Sequence, residues 1–329
     1  MSIALHGVSK AFGRVQALRD VDLSAERGSL TALLGPSGCG KSTLLRVIAG
    51  FEAPDAGRVV LDGRDVTHLS LGRRDVGFVF QSYALFPHQT VAQNVGFGLA
   101  VRGRRGAEVA ARVSDLLELV QLGGFEKRRP HELSGGQRQR VALARALAAS
   151  PSFRLLDEPF AALDSHVRKD LRRWLRDLHE RTHVTTILVT HDAEEAMEVA
   201  DRIVVMREGL VQQIGSPRAV YAEPANPFVM RFFGEVNALH SSAATIFVRP
   251  GDFRVEDRPF GEASPAYVRR VSELGARTTL DVALTDGQSL SVEIDSGRAA
   301  RLEPAPGMTV YLEPTRFRSF AAPSRAGVL

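Results

Sequence analysis

The segment GPSGCGKST, residues 35–43, constrains the fold of this chain more than any other feature. It matches the pattern G-x-x-x-x-G-K-[S/T], in which glycines shape a loop whose backbone N–H groups face an anion. The pattern requires a strand that runs into the loop and a helix that leaves it. Residues 30–34 (LTALL) have the character of that strand, and residues 43–49 (TLLRVIA), closed by Gly50, have the character of that helix. The segment therefore predicts a phosphate-binding loop in an α/β fold.

The loop supplies most of the candidate ligands for a nucleotide. Lys41 is expected to reach the β- and γ-phosphates and to assist catalysis, and the Ser42 hydroxyl is expected to bind Mg²⁺. The phosphates of a nucleotide and Mg²⁺ are thus the expected ligands of the loop. The candidate binding residues in the loop are Gly35, Pro36, Ser37, Gly38, Cys39, Gly40, Lys41, Ser42 and Thr43.

Cys39 is the only cysteine, so no disulfide can form within the chain. Its place near a helix N-terminus favours a lowered thiol pKa, which raises the hypothesis that a thiol reagent inactivates the protein and Mg-ATP protects it. A small buried filler is the alternative interpretation.

The distribution of apolar segments along the rest of the chain predicts two domains. Short apolar segments at residues 59–61, 76–80, 153–156, 185–189 and 203–206 alternate with helical spacing, as at residues 107–120, and predict a parallel sheet covered on both faces. Beyond residue 236 the pattern changes to short strands at residues 266–271, 279–284, 290–294 and 309–312, which predict a small β-barrel of the oligonucleotide/oligosaccharide-binding type. We expect domains at residues 1–235 and 236–329, with a loose tail from residue 321.

The segment LLDEP, residues 155–159, follows a predicted buried strand. Asp157 can hold Mg²⁺ through water, and Glu158 can polarise an attacking water. A solvated Asp-Glu turn is the alternative. Arg154 stands where a buried strand favours an apolar side chain, and we expect an edge position or a side chain that reaches the surface.

Three further side chains lie at suitable points of the predicted fold. His191 follows the strand TTILVT and can donate to a γ-phosphate oxygen, although a surface or capping histidine is equally compatible. Gln81 follows VGFVF and can contact Mg²⁺ or the attacking water, with a plain turn residue as the alternative. Phe12 can stack on a base or belong to the core.

A second anion site is predicted at LSGGQRQR, where Ser134 and two glycines precede a long helix. Together with GPSGCGKST, FVFQSYALFPHQTV, LLDEPFAALD and VTHDAEEA, in this order, it closely resembles the ATP-binding subunits of ABC transporters over residues 1–235. The resemblance implies an α/β P-loop NTPase with a helical subdomain at roughly residues 86–150. It also implies a homodimer in which Ser134, Gly136 and Gln137 complete the partner's ATP site, as a two-fold axis requires.

The resemblance extends to residue roles and partners. It implies that Glu158 is the catalytic base, that His191 senses the γ-phosphate and that Asp164 communicates across the dimer. Two transmembrane permease subunits would dock near the segment after Gln81, and an extracytoplasmic solute-binding protein would act indirectly. No apolar segment approaches the roughly 18 residues of a membrane span, so we expect a peripheral protein at the cytoplasmic face of the membrane.

The C-terminal segments FFGEVNAL, FVRPGDFRV and YVRRVSELGARTTLDVAL most resemble the ATPases of sulfate/thiosulfate importers, although Gly251 replaces a histidine common there. Ferric-iron, polyamine, molybdate and sugar importers share this layout. A soluble ABC protein that acts on nucleic acid or the ribosome is a different class, but a net charge of +4 does not indicate nucleic acid as a partner. A non-hydrolysing regulatory subunit is a third alternative. The presence of Lys41, Glu158 and His191, the candidate catalytic residues, argues against it.

Overall fold

The computed structural model describes residues 2–148, 151–161, 165–240 and 245–320. The chain forms two compact units, Met1–Glu223 and Pro224–Leu329. The domain boundary predicted after residue 235 stays a prediction. Asp164 and the tail from residue 321 lie outside the described residues.

The first unit combines helices with two sheets. In chain order its elements are β1 (Ile3–Phe12), β2 (Val15–Ala25), β3 (Leu30–Leu34), α1 (Lys41–Ala49), β4 (Ala56–Leu61), β5 (Arg64–Asp65), β6 (Val76–Val79), α2 (Val91–Val101), α3 (Ala107–Leu119), α4 (Gly135–Ala148), β7 (Phe153–Asp157), α5 (Ser165–Thr182), β8 (Thr185–Thr190), α6 (Ala193–Val199), β9 (Arg202–Arg207), β10 (Leu210–Gly215) and α7 (Pro217–Ala222).

The larger sheet has six strands in the order β10-β9-β3-β8-β7-β6, and the five from β9 to β6 run parallel. β3, β7 and β8 are buried along their whole length, as the apolar sequences predict. Because the strands are parallel, their carboxyl ends share one edge of the sheet, where ligands of α/β proteins usually bind. The predicted parallel sheet is confirmed.

The second sheet has the order β2-β1-β4-β5 and is antiparallel throughout. β1 and β2 were not predicted from the sequence, and the prediction that residues 59–61 belong to the parallel sheet is wrong. Those residues pair instead with β1, from Ile3 to Leu5. The error arose because an apolar segment of three residues does not indicate which strand it pairs with.

The helices α2, α3 and α4 pack against one another. Thr90 fixes the start of α2 through a capping box, because its hydroxyl accepts from the Gln93 N–H and the Gln93 side chain accepts from the Thr90 N–H. Trp174 of α5 donates from Nε1 to the Leu119 carbonyl oxygen at the end of α3. These contacts hold the helical layer beside the sheet.

The structure corrects the expectation for Arg154. This side chain is only 2% exposed and lies on β7, which has neighbours on both sides. Its Nη2 donates to the Thr182 hydroxyl at the end of α5, and burial lowers the pKa of Arg154 to about 10. An edge position or a side chain that reaches solvent is therefore wrong.

In its described residues the second unit is all-β apart from two short helices. Its elements are α8 (Pro227–Phe232), β11 (Asn237–His240), β12 (Thr245–Val248), β13 (Phe253–Glu256), β14 (Ser264–Leu274), β15 (Arg277–Leu284), β16 (Ser289–Asp295), α9 (Ser296–Leu302), β17 (Thr309–Pro314) and β18 (Arg318–Ser319). Antiparallel sheets of order β11-β12-β18 and β13-β17-β14-β15-β16 enclose one apolar core. The predicted all-β character is confirmed.

Candidate functional site

The loop between β3 and α1 owes its shape to two glycines. Gly40 immediately precedes α1 with φ of 105°, and a Cβ there would lie 2.4 Å from the Ala17 carbonyl oxygen. A Cβ on Gly35 would lie 2.3 Å from the Met206 carbonyl oxygen. Both approaches are too close for any side chain, so the loop can take this course only with glycine at these positions.

Lys41 is folded into this loop. Its Nζ donates to the carbonyl oxygens of Gly35 at 2.7 Å and Pro36 at 2.9 Å, and the residue is only 4% exposed. A buried ammonium that the loop itself holds gives the site a fixed positive charge. Such a charge at a helix N-terminus favours a phosphate group.

Cys39 does not fit the hypothesis of a reactive thiol. The residue is 3% exposed, and burial raises the pKa of its thiol, although Lys41 opposes this shift. The expected lowering by the helix N-terminus is therefore wrong, because the loss of hydration outweighs the nearby positive charge. Cys39 is a buried member of the loop that packs in the main core.

Ser42 and Asp157 bring two oxygen ligands together. The Ser42 hydroxyl donates to Asp157 Oδ1 at 2.8 Å, and burial raises the pKa of the Asp157 carboxyl. Among the described residues no cluster of three or more His, Cys, Asp or Glu side chains is suited to a metal. A hydroxyl and one carboxylate nevertheless suit Mg²⁺, which commonly takes one or two protein ligands besides water and substrate phosphates.

Glu158 lies at the centre of the remaining polar groups. Gln81 Nε2 donates to Glu158 Oε2 at 3.3 Å, and His191 Nδ1 lies 3.4 Å from the same oxygen. Glu158 has a left-handed backbone with φ of 45°, and its N–H donates to the Val189 carbonyl oxygen. The geometry thus brings two of the predicted catalytic side chains, Gln81 and His191, to one carboxylate oxygen of a third, Glu158.

The sheet order explains this convergence. β3 leads into the phosphate loop, β7 ends at Asp157, β8 ends just before His191, and β6 ends just before Phe80 and Gln81. These strands are neighbours in the order β3-β8-β7-β6, so residues from four distant parts of the chain meet at one edge.

Phe12 lies at the end of β1 and is 47% exposed, with Lys10 Nζ 5.4 Å from the centre of its ring. It is not a core residue. The exposed ring is available for stacking on a base, and this role stays a prediction.

The second predicted anion site is the start of α4. Ser134 and Gln137 form a reciprocal cap, because the Ser134 hydroxyl accepts from the Gln137 N–H and the Gln137 side chain accepts from the Ser134 N–H. Gly136 is buried within the first turn. Within the described parts of the chain, no hydrogen bond joins these residues to the phosphate loop.

Two residues near the site, Glu195 and Arg145, were not predicted from the sequence. Glu195 is 4% exposed, and its Oε2 accepts from the Thr190 hydroxyl beside His191. Arg145 of α4 donates to the carbonyl oxygens of Tyr83 and Ala84, just after Gln81. Spacing offered no signal for Arg145, whereas the segment HDAEEA showed an acidic helix start without indicating which carboxylate is buried.

The chain matches two protein families. Residues 18–161 match the ABC transporter family, and residues 246–318 match the TOBE domain. A sulfate/thiosulfate import ATP-binding protein CysA of Thermosynechococcus vestitus is 53% identical over 330 residues, which cover 97% of this chain and 98% of the relative. The protein of the same description from Synechococcus elongatus is 54% identical over 332 residues, covering 97% and 96% of the two chains.

A solved structure gives a further comparison. The dimeric post-hydrolysis state of an ATP-binding cassette bound to ADP and Pi is 36% identical, with a TM-score of 0.59, and covers 66% of this chain and 99% of that one. The predicted fold class, an ABC cassette followed by a TOBE-type β domain, and the predicted ATPase activity are thus confirmed. The chain belongs to the family of ABC transporter ATP-binding proteins that these sulfate/thiosulfate import subunits represent.

Proposed function

We propose that this chain is the ATP-hydrolysing subunit of an importer for sulfate or thiosulfate. The convergence of Gln81 and His191 on Glu158 Oε2 carries the hydrolytic part of the proposal. The assignment of the solute rests on the two CysA relatives, whose similarity to this chain extends over the C-terminal β unit.

The site residues act on ATP by positioning and by charge stabilisation. The N–H groups of the loop and the Lys41 ammonium bind the phosphates, and Phe12 stacks on the base. The Ser42 hydroxyl and, through water, Asp157 would hold Mg²⁺, which would supply positive charge against the phosphates. Ser42 and Asp157 hold these oxygens ready through their mutual hydrogen bond.

Glu158 is the general base in this mechanism. Its carboxylate takes a proton from the attacking water, and Gln81 fixes the orientation of the carboxylate. His191 points Nδ1 at Glu158, which leaves Nε2 for the γ-phosphate.

A second copy of the chain completes the site. Ser134 and Gln137 lie at the start of α4, and Gly136 is buried in the same turn, where backbone N–H groups attract an anion. In a two-fold dimer each copy would supply this helix end to the ATP bound by the other. The cap between Ser134 and Gln137 keeps the turn in shape before the dimer closes.

The permease subunits have a suitable docking site on the helical layer. A groove of about 790 Å³ lies between α2 and α3, with Ala92, Gly96, Phe97, Val109 and Val113 among its lining residues. Phe97 is 38% exposed, and the centre of its ring lies 4.4 Å from the ring centre of Phe86, in the segment after Gln81. An apolar helix of a permease would therefore contact the loop that carries Gln81.

Among the described residues, no helix has both the length and the apolar character to span a bilayer. Membrane attachment would depend on the permease contact, and we propose a peripheral location at the cytoplasmic face. An extracytoplasmic solute-binding protein would deliver the solute to the permeases and would not touch this chain.

Uptake of radiolabelled sulfate by a strain that lacks the gene tests the proposal. Uptake and growth on sulfate should fail, and added cysteine should restore growth. The wild-type gene and the Glu194→Gln variant, altered at an exposed neighbour of the site, should restore uptake, whereas Lys41→Ala should not. Normal uptake in the deletion strain would contradict the sulfate assignment, and ferric-iron and polyamine uptake would then be measured.

A further inference from the structure

His191 lies in a turn that a buried carboxylate holds in place. Glu195 is only 4% exposed, and its Oε2 accepts a hydrogen bond of 2.5 Å from the Thr190 hydroxyl. The same hydroxyl oxygen accepts from the Asp192 N–H at 3.0 Å. His191 therefore stands between two residues that are joined through one hydroxyl, and Glu195 fixes the direction of that hydroxyl.

The turn is also closed from the other side. Asp192 Oδ1 accepts from the N–H groups of Glu194 at 2.8 Å and Glu195 at 3.2 Å. The side chain of Asp192 thus caps α6, while its backbone is bound by Thr190. Thr190 is 1% exposed, whereas the His191 side chain is 54% exposed. A hydrogen-bonded frame of Thr190, Asp192 and Glu195 therefore carries an exposed imidazole.

Two arginines connect this frame to α5. Arg168 Nη1 lies 3.6 Å from Asp192 Oδ2, and Arg168 Nε lies 3.8 Å from Glu195 Oε1. Arg172, one turn later, pairs with Glu198 of α6 at 2.6 Å. Burial raises the pKa of the Glu195 carboxyl and the Asp192 charge adds to this effect, while Thr190, Arg168 and Arg172 oppose it.

The mechanism described above uses neither Glu195 nor Arg168. A buried carboxylate is costly unless its hydrogen bonds and charges are satisfied. Here one oxygen of the Glu195 carboxylate accepts from Thr190, which precedes His191, and the other lies near Arg168. Arg168 lies on α5, which begins at Ser165, and it contacts Asp192 and Glu195 beside His191.

We propose that Glu195 is a positioning residue for ATP hydrolysis, which acts through Thr190 to hold the His191 imidazole against Glu158 and the γ-phosphate. Arg168 ties this frame to α5. The inference rests on the proposed role of His191, because Glu195 itself does not touch the nucleotide.

A kinetic cycle in the purified full-length chain tests the inference. Glu195→Gln keeps the size of the side chain but weakens the bond to Thr190, and kcat for ATP should fall about tenfold with little change in KM. In a His191→Ala background the same substitution should change kcat less than about twofold, since residues that act through one another are not additive. Single-turnover measurements resolve the slow rates.

A second pair of variants separates positioning from folding. Thr190→Val removes the hydroxyl in a side chain of the same shape, and should reproduce the loss of kcat. Thr190→Ser keeps the hydroxyl and should restore most of the rate. Glu194→Gln, at the exposed neighbouring position, serves as the matched control and should retain the wild-type kcat.

The outcomes distinguish the two proposals. Equal losses of kcat from Glu195→Gln with and without His191 would overturn the positioning role, as would a normal kcat in Glu195→Gln or in Thr190→Val. A normal kcat in His191→Ala alone would contradict the proposed role of His191, and the inference with it.

Discussion

The Ser42 hydroxyl donates to Asp157 Oδ1 at 2.8 Å and so joins the first turn of α1 to the carboxyl end of β7. The two residues meet because β8 lies between β3 and β7 in the sheet, which places the ends of all three strands together. Asp157 is 5% exposed, and burial raises the pKa of its carboxyl. The ionised form is therefore disfavoured in the free chain, and a bound cation would favour it.

Asp157→Asn should consequently have opposite effects on stability and on activity. Removal of a buried charge should raise the melting temperature of the nucleotide-free chain by a few degrees. The Mg²⁺ concentration needed for half-maximal ATPase activity should rise about 10- to 100-fold. Calorimetry and a Mg²⁺ titration of turnover measure the two effects. A lower melting temperature, or an unchanged Mg²⁺ requirement, would contradict this account of Asp157.

Glu158→Gln should abolish most turnover while it preserves ATP binding. Loss of a general base lowers kcat by about 10²- to 10⁴-fold. The variant should accumulate as an ATP-bound dimer, which gel filtration with and without ATP detects. Glu194→Gln serves as the control and should stay active and show no such accumulation. Unchanged turnover in Glu158→Gln would place the base elsewhere.

The sequence predicted the parallel sheet well because its strands are buried on both faces. Such strands are continuous apolar segments, as in Leu30–Leu34, and they stand out against the helical spacing around them. β1 and β2 were missed because only one face is buried, and bulges interrupt their pairing at residues such as Val8 and Lys10. When a bulge shifts the alternation of apolar and polar residues by one position, the sequence no longer shows the regular pattern of a strand.

The candidate site was largely predictable because its residues follow strand ends or open helices. Gln81, Glu158 and His191 each follow a predicted strand, and parallel strands bring their ends together. Side chains that act by tertiary contact were not predictable. Glu195 and Arg145 lie within helices, and only the fold shows which polar atoms they meet.

Arg145 shows what such a contact does. Its two terminal nitrogens donate to the carbonyl oxygens of Ala84 and Tyr83, each at 2.8 Å, and Tyr83 and Ala84 both have left-handed backbones with φ of 60° and 46°. Arg145→Lys cannot form this pair of parallel hydrogen bonds. The free energy of unfolding should fall by about 1 to 3 kcal/mol.

Activity should fall as well, because Tyr83 and Ala84 closely follow Gln81. We expect kcat in Arg145→Lys to fall several-fold with KM for ATP unchanged. Arg138→Lys, an exposed position on the same helix, is the matched control for stability by urea denaturation. Wild-type stability in Arg145→Lys would show that the two carbonyl contacts contribute little.

The buried Arg154 should reduce the stability of the chain. Its Nε and Nη1 have no hydrogen-bond partner in the described structure, and burial lowers its pKa to about 10. Between about pH 10 and its ordinary pKa the folded chain binds fewer protons than the unfolded chain, so stability rises with pH in that window. At neutral pH the whole cost of burying the charge remains.

Arg154→Met keeps much of the volume and removes the charge. The free energy of unfolding at pH 7 should therefore rise by about 1 to 3 kcal/mol, as measured by urea denaturation. Arg173→Met, at an exposed position of α5, should change it by less than about 0.5 kcal/mol. The stabilisation should also shrink as the pH rises above about 10, because Arg154 then loses its charge in the folded chain. A destabilised Arg154→Met would show instead that the hydrogen bond to Thr182 outweighs the cost of burial.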